Sequence, residues 1–171
     1  MIRHLAAAAA VAAAVAAAAP APAAAQPADK GRFGLGIILG EPTGVSAKLF
    51  LGGHSDMAVD AAAGSAVVGG GIQVHADVLW QPWVLTQEEK FVLPAYLGLG
   101  VRLLDADRGR DASDFHVGLR AVIGIDFDFT TIPIDVFVEV AGVGDYVFSD
   151  DDQEKGFGLD LNGGAGVRYW F

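Results

Sequence analysis

From Phe33 onward the chain alternates apolar and polar residues with a period of two, the repeat of a strand whose faces meet different surroundings. The clearest run is Ile72–Trp80: Ile72, Val74, Ala76, Val78 and Trp80 share one parity, and Gln73, His75 and Asp77 the other. The final run repeats it, with Leu159, Leu161, Ala165, Val167, Tyr169 and Phe171 against Asp160, Asn162, Gly164, Gly166, Arg168 and Trp170. Six further strands follow from the same reading: Phe33–Leu39, Val45–Leu51, Met57–Val67, Leu93–Leu103, Phe115–Phe129 and Ile134–Val140. Met57–Val67 is the weakest, with small residues on both parities and Asp60 on the polar one. Glycine, aspartate and proline punctuate these runs too closely for long helices. The pattern predicts eight strands and no second domain.

Two architectures use such strands. A soluble sandwich or lipocalin-like barrel buries the apolar face, whereas a transmembrane barrel turns it to lipid and keeps polar residues and glycine inside. Three features favour the second. The polar parity is rich in glycine and carries few charges: Lys48, Arg102, Arg120 and Arg168 against Asp60, Asp77, Asp135, Glu139 and Asp160. A water-facing surface carries many more. Aromatics also gather at strand ends on the apolar parity, as interfacial girdles do. Phe33, Trp80, Phe91, Phe127, Phe129, Tyr169 and Phe171 fall at one rim, and Phe115 and Phe157 at the other; Phe50 and Trp170 have inward parity and do not fit. Finally, Gly52–Asp56 and Thr130–Pro133 are short turns, while the acidic loops 105–114 and 144–156 on the opposite side are longer. Gln81–Lys90, a longish turn, and the tight loops Gly40–Gly44 and Val68–Gly71 break that asymmetry. The expected fold is an all-β, eight-stranded antiparallel up-and-down transmembrane β-barrel over residues 33–171.

Residues 1–25 have the tripartite order of a signal peptide. Arg3 and His4 make a short basic start, Leu5–Ala19 an apolar run, and Ala23-Ala24-Ala25 a small-residue cleavage site after Pro20 and Pro22. Cleavage is expected before Gln26, with 26–32 as a polar linker. The expected location is therefore the bacterial outer membrane. A net charge of −10 over 171 residues argues against a nucleic-acid partner, which needs a basic face. With no cysteine, disulfides, thiolate metal sites and thiol nucleophiles are excluded.

The terminal run Gly164-Ala165-Gly166-Val167-Arg168-Tyr169-Trp170-Phe171 resembles the assembly signal of bacterial outer-membrane barrels, matching it at Gly166, Tyr169 and Phe171. Size, strand count and signal peptide together resemble the small eight-stranded barrels of the OmpA, OmpX and OmpW type. The stretch Gly36–Lys48 (GIILGEPTGVSAK) resembles the opening hairpin of small outer-membrane barrels of spirochaetes and deltaproteobacteria, whose biochemical activity is unassigned. The resemblance implies recognition of the last strand by the barrel-assembly machinery, and contact with outer-membrane lipid and lipopolysaccharide. It carries over no catalytic residue.

The chemistry-bearing motifs are weak. Gly34, Gly36 and Gly40 have the wrong spacing and context for a dinucleotide loop. The run Ser149–Glu154 lacks the ligand spacing of a calcium loop. His75 and His116 face inward without legible co-ligands, and no nucleophile–base arrangement is recognisable. No enzyme activity, cofactor or metal is expected. The best constellation is an inward charge network of Lys48, Asp77, Arg102, Arg120, Glu139, Asp160 and Arg168. Arg120 and Glu139 are expected to pair, and Arg102 and Arg168 to answer Asp77, Asp135 or Asp160. Truncating Glu139 is expected to leave a basic excess. The expected role is structural or surface-interacting, with a closed, side-chain-filled interior. A barrel that binds or transports small apolar molecules and a soluble periplasmic lipocalin-like binder are the alternatives.

Overall fold

A computed structural model describes residues 30–52, 56–67, 70–107, 113–148 and 156–171. It contains eight strands: β1 (Phe33–Gly40), β2 (Thr43–Phe50), β3 (Met57–Ser65), β4 (Ile72–Gln87), β5 (Phe91–Asp107), β6 (Ser113–Phe129), β7 (Ile134–Phe148) and β8 (Gly156–Trp170). Each pairs antiparallel with its chain neighbours, and β8 pairs with β1, so the sheet closes into a ring.

The register fixes the geometry of that ring. Hydrogen-bonded neighbours run Trp170, Gly34, Lys48, Asp60, Asp77, Gly100, Arg120, Val143, Asp160. One circuit that leaves β8 at position 170 returns to it at position 160, a stagger of ten residues. With ~3.3 Å per residue and ~4.8 Å between strands, eight strands at that stagger tilt by about 40° and enclose a radius of about 8 Å. Side chains from opposite walls therefore meet inside.

One end of the ring, the turn end, carries the turns 51–56, 88–90 and 130–133. The loop end carries 41–42, Ala66–Val67, Gly70–Gly71 and the strand ends Asp107, Ser113, Phe148 and Gly156. Several strands are longer than the alternation predicts. β4 continues through Gln81–Gln87, expected as a turn, with register shifts between Trp80 and Trp83 and between Val84 and Thr86. Pro82 and Pro94 disguise this stretch, because proline sits in a strand only at edges and irregularities. β5 runs to Asp107, β6 begins at Ser113 and β7 runs to Phe148, so these strands take in residues expected in the acidic loops. Asp114 and Asp145 look like loop residues in sequence, yet both are buried at strand positions. β3 stops at Ser65 rather than Val67. Lys30–Arg32, the end of the expected linker, is tied to the turn end: the Phe50 amide donates to Arg32 O at 2.9 Å, and Lys30 pairs with Asp128. The segments 1–25 and 26–29, His54 and the run Ser149–Glu154 lie outside the described residues.

Burial follows parity around the ring: the outer face is apolar, and the inward positions hold the charged residues together with small side chains and a few large apolar ones such as Ile38, Leu79 and Phe137. Leu99, Leu119 and Leu159 are 70%, 74% and 85% exposed, while Lys48, Arg120 and Arg168 lie at 1–2%. The inward glycines stand beside bulky partners. Gly166 is in register with Phe137, and a Cβ there would come within 2.5 Å of the Phe137 ring. Gly34 lies between Trp170 and Lys48, and its Cβ would meet the indole at 3.1 Å. Small and large residues alternate because the narrow interior has room for only one large group at each place.

Candidate functional site

The inward polar residues form two linked clusters. In the turn-end half, Arg168 on β8 pairs with Asp60 on β3, with Asp126 on β6 at 2.9 Å, and with Asp135 on β7 at 3.2 Å. Its guanidinium also lies 4.0 Å from the Phe137 ring centre. Lys48 on β2 reaches Asp126 at 2.6 Å and sits 4.9 Å from the Tyr96 ring. Gln81 Nε2 donates to the same Asp126 carboxylate at 2.9 Å.

In the loop-end half, Arg120 on β6 bonds Asp77 on β4 at 2.8 Å and pairs with Glu139 on β7. Arg102 on β5 pairs with Asp145 on β7, and with Asp160 on β8 at 2.6 Å. Asn162 Oδ1 accepts from Arg102 at 3.1 Å and from Gln73 Nε2 at 3.4 Å. The Tyr96 hydroxyl donates to Glu139 at 3.2 Å and joins the two halves.

Six of the seven predicted network residues are buried inside the ring, the seventh, Asp160, joins them through Arg102 with its side chain 47% exposed, and their partners become specific. Asp77 serves Arg120, Asp160 serves Arg102, and Asp135 serves Arg168. Asp126, Asp145, Tyr96, Gln73, Gln81 and Asn162 complete the network and were not among the predicted site residues. Their inward parity was a usable signal for most of them. Asp145 falls in a stretch that reads as loop, and Gln81 in one that reads as turn. A basic excess after Glu139 truncation does not follow. Among the described residues, Lys48, Arg102, Arg120 and Arg168 face seven buried carboxylates: Asp60, Asp77, Asp114, Asp126, Asp135, Glu139 and Asp145. Guanidinium groups so enclosed hold strands in place and present no free charge to a solute.

Phe50 and Trp170, the two aromatics of inward parity, explain one another. Their rings stack at 5.3 Å, and the Trp170 indole N–H donates to Asp135 at 3.1 Å. Together they fill the turn-end mouth. The outward aromatics form rim contacts: Phe33–Phe171, Trp80–Trp83, Phe91–Phe127, Phe127–Phe129 and Tyr169–Phe171 at the turn end, and Phe115–Phe148 and Tyr146–Phe148 at the loop end. Phe157 is also exposed. Trp83, Tyr146 and Phe148 join these rims although their sequence neighbourhood reads as loop.

Of the assembly-signal residues, Gly166 faces inward, while Tyr169 and Phe171 are exposed with rings 5.0 Å apart. His75 is buried and His116 half-buried, and no group of three or more metal-ligating side chains occurs among the described residues. Gly34, Gly36 and Gly40 lie in strand β1. Comparison of the chain with protein-family models, curated proteins and solved structures finds no match.

Proposed function

We propose that this chain is an outer-membrane β-barrel protein with a closed, side-chain-filled interior and a structural or surface-interaction role. The observation that carries the reading is the inverted ring, apolar outside and ion-paired inside. A soluble barrel would have to leave this outer surface in water, where contiguous apolar patches rarely exceed a few hundred Å². The strand tilt of about 40° and the aromatic rims at both ends also suit a bilayer crossing. The export signal and the C-terminal likeness fit the same location, with lipid, lipopolysaccharide and the barrel-assembly machinery as partners. Opposed side chains, the saturated guanidiniums and the Phe50–Trp170 stack argue against a general pore.

The test is membrane fractionation with gel mobility. The protein is expected to stay in outer-membrane fractions after carbonate washing and to migrate differently before and after boiling, because a closed ladder has no edge from which to unzip. Recovery as a soluble periplasmic species would overturn the membrane reading. Large, stable conductance in planar bilayers would overturn the closed interior and favour transport.

A further inference from the structure

We propose that the inward face of β4 at Gln73, His75 and Asp77 binds a file of water molecules that enters from the loop end and stops at Leu79. These three residues occupy successive inward positions and are 0%, 1% and 2% exposed. Gln73 Oε1, both ring nitrogens of His75 and Asp77 Oδ1 have no hydrogen-bond partner among the described residues. Buried polar atoms are almost always satisfied by protein or ordered water, so four such atoms on three successive inward positions of one strand point to a resident ligand rather than chance.

The neighbouring groups cannot supply the missing bonds. Gln73 already commits its amide nitrogen to Asn162, which turns its oxygen away. Arg102 and Arg120 donate to Asp145, Asp160, Asp77 and Glu139. His75 Nε2 is 3.9 Å from Asp77 Oδ2, too far for a direct bond. Small residues are in register with the row on the neighbouring strands. Gly64 and Ala62 stand opposite Gln73 and His75 on β3, and Gly100 stands opposite Asp77 on β5. Ser46 Oγ, also without a partner, faces the same space from β2, one residue pair beyond Ala62.

Water suits this site better than an organic solute or an ion. Neutral imidazole offers one donor and one acceptor, while the remaining unpaired atoms of the row are acceptors. A molecule that both donates and accepts, with two to four partners within reach, is therefore required at each point. Toward the turn end the row meets Leu79, packed with Ala58, Tyr96, Val122 and Ala141. The one polar side-chain group of this layer, the Tyr96 hydroxyl, is committed to Glu139, so the layer ends the file and separates it from Gln81, whose Oε1 is also without a partner. The inference needs the closed ring but not its location in a membrane.

The test is water–protein cross-relaxation by NMR on the unmodified chain, folded in detergent micelles. Cross-peaks to water are expected at the His75 ring protons and absent at the methyls of Leu79. A His75 ring without water cross-peaks would overturn the proposal. A second readout uses His75→Leu. On a dry row, deleting two unpaired nitrogens would raise the thermal midpoint, and a rise would overturn the proposal. On a hydrated row the midpoint is expected to fall, because the leucine displaces water that Gln73 and Asp77 use. Both readouts are taken on the folded ring, so failed membrane fractionation leaves this inference standing, and a dry row leaves the membrane reading standing.

Discussion

Replacing Arg120 by methionine tests the interior network most directly. The guanidinium bonds Asp77 at 2.8 Å and pairs with Glu139, and all three side chains are almost completely buried. Methionine preserves much of the volume but removes the charge, leaving two carboxylates in a narrow, low-dielectric space. Removing one partner from a buried ion pair costs about 3–5 kcal/mol, because the other charge is left uncompensated. Glu139 keeps its bond from Tyr96, and Asp77 is left with His75 Nε2 at 3.9 Å. The two losses share one cation and will not add, so about 3–5 kcal/mol is expected in total. That is a large part of the ~5–15 kcal/mol typical of a folded domain. Urea unfolding of the detergent- or vesicle-embedded protein, followed by tryptophan fluorescence, would read it as a lower midpoint. Adding Asp77→Asn and Glu139→Gln removes the stranded charges and should restore at least half of the loss. Arg120→Met within about 0.5 kcal/mol of wild type, as for an ordinary surface substitution, would refute the reasoning. So would a triple variant no more stable than the single one.

Three further outcomes follow from the same geometry. Trp170→Ala should cost about 3–5 kcal/mol in unfolding experiments, as large-to-small aromatic substitutions do; Phe50→Ala on top of it should add less than it costs alone, because both remove the one stack. Leu99→Arg, near the middle of β5 on the outer face, should cost about 2–4 kcal/mol in a bilayer, whereas at an exposed site of a water-soluble protein it should cost under about 0.5 kcal/mol. In hydrogen exchange, the β1 amides should lose protection before those of β5 and β6, because β1 alone adds no charged side chain to the interior lattice; equal protection around the ring would contradict that role for the ion pairs.

The alternation of residues makes the strands and their two faces legible in the chain itself, because each wall residue sees either the interior or the outside. It fails where the chain breaks its own period. Pro82 and Pro94 hide the irregular end of the β4–β5 pair, and Asp145 reads as loop because a lone sequence cannot distinguish a solvated aspartate from one meeting Arg102. Partner choice is a different kind of information. Asp60, Asp77, Asp135 and Asp160 are inward by parity, but which arginine each one meets depends on the stagger of ten residues, a property of the whole closed sheet. Phe50 and Trp170 show this most clearly. Each breaks the outward-aromatic rule when taken alone. They make sense only once β8 lies against β1 and the indole passes over Gly34 to β2.

The bracing is uneven around the ring. Lys48 links β2 to β6; Arg168 links β8 to β3, β6 and β7; Arg102 links β5 to β7 and β8; and Arg120 links β6 to β4 and β7. Every strand from β2 to β8 contributes a charged side chain to this lattice. β1 contributes none, since its inward positions are Gly34, Gly36, Ile38 and Gly40. It is held by its backbone ladders to β2 and β8, by the packing of Ile38 with Ala62 and Phe137, and by the stem contacts of Lys30 and Arg32. The glycines of β1 allow this arrangement: a large residue at position 34 would block the Trp170–Phe50 stack, and one at position 36 would stand between Arg168 and Ser46. The seam where the first and last strands meet is thus spanned from β8 to β2 and β3 by Trp170 and Arg168, over a strand whose own side chains are too small to interfere. These two bridges therefore depend on β1 lying paired between β8 and β2.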